Sequence, residues 1–243
     1  MNLSTETIEM QKAIKGLNQA ASSKNGDIIL LFDGLDHLNN VQVFSQIVTT
    51  DVQQLSAAGI GVVLVGPLLV AYSQYRDIIE PAVNYTSYQS CFDLENDPEA
   101  RTFFEKVLSV RSPKAGLRPS LENFLEEPAI ESLVNYSGGV LRDLINLAQS
   151  SIEEAYISDE ESLKSEHVEI AANSLGRAKM LSISDQDLDV LKKVAETGNF
   201  IPRTDVEIRL LMTGRILEYQ YPRRRFAVHP TILLLMQELC HPM

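Results

Sequence analysis

Positive charge, cysteine and long apolar runs are all scarce in this chain. Lysine and arginine total 21 against 33 aspartates and glutamates, for a formal net charge of −12. Phosphates are held by Lys and Arg, so this balance excludes broad nucleic-acid affinity and leaves only a local basic patch to consider. The two cysteines, Cys91 and Cys240, lie far apart and read as buried or idle thiols rather than a disulfide framework. No stretch approaches the ~20 apolar residues that span a bilayer, so no membrane partner is expected. The opening MNLSTETIEMQKAIKGL has no apolar signal core, and a cytoplasmic protein is the expectation. His37, His167, His229 and His241 show no ligand spacing with the cysteines, which argues against zinc, and no Ser-His-Asp or Cys-His set can be assembled. There is no internal repeat and no low-complexity segment.

What is present is enough for a sizeable core: 44% of 243 residues are hydrophobic, suited to one large domain or two small ones. Ser4 to Ala21 has helical spacing, and Ser22 to Gly26 is a polar break. Asp27 to Phe32 reads as a strand. Val41 to Ala58 reads as a helix with Phe44, Ile47, Val48 and Leu55 on one face. Gly59 to Gly66, GIGVVLVG, is a second continuous apolar strand, stopped by Gly66-Pro67. Continuous apolar strands separated by a helix predict a βαβ unit whose parallel sheet is covered on both faces. Leu68 to Ile79 starts another helix, and Tyr88 to Leu94 is a candidate third strand.

After Asn96 the pattern turns helical. Pro98 to Val110 is a helix by spacing, Arg111 to Pro119 a break, and Ser120 to about Ala178 helical throughout, with a Ser137-Gly138-Gly139 joint. Ser184, with Asp187 three residues on, is an N-cap signal. Thr204 caps a second helix to Met212, which Gly214 ends. Ile216 to Tyr219 and Arg225 to Val228 alternate as a hairpin, and Ile232 to Leu239 closes with a helix. Helix, helix, hairpin, helix is the outline of a winged-helix unit, with a further early helix compressed into Asn199 to Arg203.

The most pointed motif is DIILLFDGLDHL, Asp27 to Leu38. Its apolar run ends on Asp33, with a second carboxylate at Asp36. A buried parallel strand that delivers an acid to a magnesium-nucleotide site has this form. Yet no G-x-x-x-x-G-K-[ST] phosphate loop occurs in these 243 residues. That loop cradles phosphates with consecutive backbone N–H groups and a helix N-terminus, and it is the hardest part of such a site to replace.

Taken in order, these pieces resemble the C-terminal two thirds of an AAA+/STAND P-loop ATPase. Asp33-Gly34-Leu35-Asp36 is similar to a Walker B pattern, and Gly61 to Pro67 stands where a sensor-1 strand would. Tyr136-Ser137-Gly138-Gly139-Val140-Leu141-Arg142-Asp143 is similar to a sensor-2 signature, and His229-Pro230 recurs after the second wing strand. The resemblance implies an α/β class: a parallel-sheet P-loop-NTPase-like fragment over 1–96, an all-helical lid over 97–180, and a C-terminal winged helix over 181–243. It implies ATP and Mg²⁺ as cofactors, Asp33 toward the metal and nucleotide, Asp36 as the catalytic acid, and Arg142 toward a γ-phosphate. Departures from the pattern set limits. Gly34 stands where many members carry the catalytic Glu, the sensor-1 strand ends on Gly66-Pro67 with no side chain to orient a water, and the phosphate loop is missing. Catalytic competence of this chain alone is not implied.

Each candidate has a plainer reading. Asp33 and Asp36 could cap the turn that follows the strand. Arg142 could pair with Asp143 or Glu131. Arg111 reads as a helix-end cation complementing the dipole, or as an arginine finger. Arg223, Arg224 and Arg225, beside Tyr221 and Pro222, form the basic cluster at the expected wing tip and could bind DNA or a protein partner. Asp205 and Glu207 on the helix that would enter a groove repel phosphates and favour an intramolecular or protein-docking role. Two functions remain: a nucleotide-switch regulator lacking its own loop, signalling through lid and winged-helix movement, or a degenerate ATPase scaffold that docks protein or DNA through its winged helix. An incomplete sheet should expose an edge or apolar face, so a homo-oligomer, or a partner that completes the core, is expected.

Overall fold

The computed structural model describes residues 5–38, 40–110 and 124–240, and the chain divides into two compact units, Met1–Tyr88 and Gln89–Met243. The expectations for Arg111, for the break after it and for the start of the following helix lie outside the described residues.

In the first unit, α1 (Thr5–Asn25) precedes β1 (Ile29–Phe32). A helical run follows: α2 (Val41–Gln46), a π-helical stretch (Ile47–Val52) and α3 (Gln53–Ala57). Asn40 caps it, its Oδ1 accepting from the N–H groups of Gln42 and Val43. The run leads into β2 (Gly61–Leu64), which pairs parallel with β1 in the register Ile29↔Gly61 to Phe32↔Leu64. This is the expected strand–helix–strand unit. Phe44, Val48 and Ile79 form its core, and Leu64 packs on them. Gly66 is held small because a Cβ there would lie 2.4 Å from the Phe44 ring. The region after Pro67 breaks into short 3₁₀ turns around α4 (Arg76–Ile79) in place of one helix.

Coverage of the sheet on both faces is not observed. Side chains alternate along a strand, so Ile29, Leu31, Gly61 and Val63 share one face. That face is open: Ile29 is 68% exposed, Leu31 70% and Val63 52%. The reason is the number of elements available. α1 is tied to the end of the helical run by Asn18, whose amide donates to the carbonyls of Ala58 (3.2 Å) and Gly59 (3.0 Å). No further strand joins the sheet among the described residues. The candidate strand at Tyr88 to Leu94 is instead a single bridge from Cys91 to Tyr219, made because the Cys91 N–H donates to the Glu218 carbonyl at 2.9 Å.

In the second unit, Asp97 caps α5 (Pro98–Val110), with proline at the first position where its missing N–H costs nothing. The helices α6 (Glu127–Ser137), α7 (Leu141–Ile157) and α8 (Ser165–Met180) pack around Phe104, Leu133, Leu144, Leu147 and Val168. Gly138 and Gly139, both at positive φ, turn the chain between α6 and α7. Capping boxes start α9 (Asp185–Thr197), from Ser184 with Asp187, and α10 (Asp205–Met212), from Thr204 with Glu207. No helix forms between Asn199 and Arg203. The antiparallel pair β3 (Ile216–Tyr219) and β4 (Arg225–Val228) and then α11 (Pro230–Cys240) complete the chain. Among the described residues no helix is long and apolar enough to cross a membrane.

Candidate functional site

Asp33 leaves β1 at its C-terminal end, where an acid reaching a ligand in the crevice beyond a parallel sheet would sit. Its Oδ1 accepts from the N–H of Gly34 at 2.8 Å, the local capping geometry of a strand-end aspartate. Gly34 takes a left-handed conformation and starts a short 3₁₀ turn, Leu35–His37, that carries Asp36 outward. Asp36 lies 3.9 Å from His37 Nε2, with both side chains exposed. Asp33 and Asp36 therefore share one exposed loop. β2 ends toward Gly66-Pro67, so the neighbouring strand adds no polar side chain.

Arg142 belongs to the other unit, in the first turn of α7. It is exposed and makes no ion pair among the described residues. The carboxylates expected to hold it are engaged elsewhere. Asp143 bonds Lys179 Nζ (2.9 Å) and His229 Nε2 (3.1 Å), and Glu131 lies 3.7 Å from Arg101. The pairing of Arg142 with either one is thus replaced by longer-range partners that sequence spacing does not reveal.

A magnesium-bound nucleotide needs a metal-holding acid, a phosphate cradle and a charge-stabilising cation. Of these, the first unit contributes an exposed acid already bonded to the neighbouring Gly34 N–H, and no described loop presents a run of free N–H groups beside it. The residues do not fit a nucleotide held by this chain alone.

The three arginines of the hairpin are not equivalent. Arg225 makes a bidentate pair with Asp93, Nε to Oδ2 at 2.7 Å and Nη2 to Oδ1 at 2.6 Å, and reaches Glu95 at 2.8 Å. Its guanidinium lies over the Tyr219 ring, 4.4 Å from the centroid. Burial alone would raise the Asp93 carboxyl, but the bonds from Arg225 and Asn96 hold it below its ordinary range. Arg224 bonds Glu218 at 2.9 Å and stacks over Phe226. Arg223 is exposed, with no ion pair among the described residues. Two of the three charges are thus spent on carboxylates of the same unit.

Two further groups escaped sequence reasoning. One is the buried Asp143–Lys179–His229 node, whose members are too far apart in sequence for any local spacing rule. The other is a set of possible metal ligands, Glu160, Glu166 and His167, at the start of α8. Here the Lys164 ammonium already pairs with Glu160, and His167 Nδ1 accepts from the Lys164 N–H at 3.1 Å, so Glu160 and His167 serve the helix start. Cys91 has no disulfide, and burial pushes its thiol up to about 11.

No protein-family model matches the chain, and no curated protein matches it. Among solved structures it is similar to the Thermotoga maritima RuvB Holliday junction branch migration motor, at 15% identity over 93% of this chain and 74% of that one, with a TM-score of 0.44. It is also similar to the Aeropyrum pernix ORC2 protein, at 14% identity over 93% of this chain and 69% of that one, with a TM-score of 0.46. At this identity and overlap the likenesses say nothing of this chain's activity.

Proposed function

We propose that this chain is a degenerate ATPase-like scaffold of AAA+/STAND type, with a partial α/β core, a helical lid and a winged helix, and that it works by docking protein rather than by hydrolysing nucleotide. The observation that carries this reading is the open sheet face of Ile29, Leu31 and Val63. Parallel sheets are stable when both faces are covered, and exposed apolar faces with unpaired edges invite a partner. That partner is a second copy or another protein that completes the core. The hairpin arginines support protein docking over DNA, since Arg224 and Arg225 are already neutralised by Glu218 and Asp93.

Sedimentation velocity at micromolar concentration tests this. The chain is expected to associate, and Leu31→Lys with Val63→Lys to abolish the association. A clean monomer whose behaviour the double variant leaves unchanged contradicts it.

One observation favours a second reading, a nucleotide switch. Arg142 stands uncommitted in the first turn of α7, as a phosphate-sensing cation would. In that form ATP and Mg²⁺ are bound jointly with a chain that carries the phosphate loop. Asp33 then holds the metal side, Asp36 is the candidate acid, and both Asp33→Ala and Arg142→Ala weaken binding.

A further inference from the structure

We infer that the helical segment α5–α8 and the C-terminal segment α9–α11 respond to any signal as one rigid body, welded by the buried Asp143–Lys179–His229 node. Lid and hairpin then do not swing independently. This holds whether or not the sheet face docks a partner.

The node joins three elements that are distant in sequence. Asp143, in the first turn of α7, is 7% exposed. It accepts from Lys179 in the last turn of α8 and from His229, which sits just before α11. His229 and Thr231 are fully buried. The hydrogen bonds assign the neutral tautomer of His229 with the proton on Nε2. That nitrogen donates to Asp143, while Nδ1 accepts from the Thr231 N–H (3.3 Å) and faces Thr231 Oγ1 at 2.8 Å. Burial favours this neutral form and holds the imidazole below its ordinary range, against the pull of Asp143.

A second layer surrounds the node. Tyr219 Oη donates to the Gly138 carbonyl at 2.8 Å, and the Phe92 N–H donates to the Gly139 carbonyl at 3.1 Å. Arg215 Nε and Nη2 donate to the carbonyls of Lys179 and Leu181, each at 2.6 Å, closing the end of α8. Gly176 lets α8 approach α11 so closely that a Cβ would lie 2.4 Å from the Thr231 carbonyl oxygen. A joint that moves needs alternative partners for the groups it separates. Swinging the hairpin away from α7 strips a buried carboxylate of His229 and the Gly138 carbonyl of Tyr219, and a half-satisfied buried network is strongly disfavoured.

Native-state hydrogen exchange in subdenaturing urea, on the full chain, tests the weld. In the parent chain, the amides of β4 (Phe226, which donates to the Gly198 carbonyl, and Ala227, paired with Leu217) and of α7 (Leu144, Leu147) should open together with the same protection. Asp143→Asn, which removes the charge that Lys179 needs, should split them: β4 protection falls at least tenfold further than α7 protection. His229→Gln, which can still donate to Asp143, should split them less. The inference is overturned if β4 already opens separately in the parent chain, or if Asp143→Asn lowers both sets equally. Thr231→Val gives the same readout from the far side of His229 should Asp143→Asn fail to fold; an unsplit result there overturns it too.

Discussion

Replacing Arg225 by alanine should destabilise the second unit rather than merely strip charge from its surface. The Asp93 side chain is 1% exposed and Arg225 28%, so the pair is largely removed from water. Breaking a fully buried ion pair costs about 3–5 kcal/mol, chiefly through the charge left behind. Here the Asn96 amide and the N–H groups of Glu95 and Asn96 still solvate the carboxylate, and Arg225 is partly wet, so about 2–3 kcal/mol is expected. The chain has no tryptophan. Urea unfolding is therefore followed by far-ultraviolet circular dichroism, comparing midpoints at unchanged slope. The sign of the pH dependence is fixed by the depressed Asp93 carboxyl. Its contribution is present above the ordinary carboxylate pKa of about 3.9 and is lost as pH falls through the lower folded value. Asp93→Asn should flatten that acid limb. A loss under about 0.5 kcal/mol for Arg225→Ala, the range of ordinary surface changes, refutes the reasoning.

Gly139→Ala places a Cβ 1.8 Å from the Phe92 carbonyl oxygen at a φ of 78°. It should cost roughly 3 kcal/mol or more, and thermal unfolding at near-parent Tm disproves the close approach. The depressed Asp143 and His229 predict that the second unit keeps full stability above about pH 6.5 and loses it on acidification, first as His229 is forced to charge and then as Asp143 protonates. Midpoints of the Asp143→Asn/His229→Gln chain should depend less on pH over that range; an unchanged dependence counts against the node. For DNA, Arg223→Glu leaves the Arg225 clamp intact. If the chain binds duplex at all, this change should reduce the salt slope by about one phosphate contact, and a larger loss means Arg224 and Arg225 also leave their carboxylates to bind.

Much of the fold was legible because local signals and packing agree. The apolar runs at Ile29–Phe32 and Gly61–Leu64 pair as parallel strands, Ser184 and Thr204 cap the helices they precede, and β3 and β4 fall where alternation placed them. The failures have a common origin in long-range contacts. Leu31 and Val63 looked buried because continuous apolar strands usually are, but no element among the described residues covers them. Cys91 looked like part of a third strand in the sheet, yet its backbone bonds Glu218, a partner no window of sequence could reveal. The site residues were the least legible. A run of three arginines reads as a basic patch, while pairing with Glu218 and Asp93 depends on residues both near and 132 positions away. Asp143, adjacent to Arg142, turns instead toward Lys179 and His229 because it faces the interior where Arg142 faces water.

Calorimetric titration of the purified chain with ATP and magnesium, repeated on Asp33→Ala, addresses the central claim most directly. A scaffold without its own phosphate cradle predicts no binding heat at micromolar concentrations in either protein. Micromolar binding that Asp33→Ala removes contradicts it, and establishes a nucleotide site on this chain.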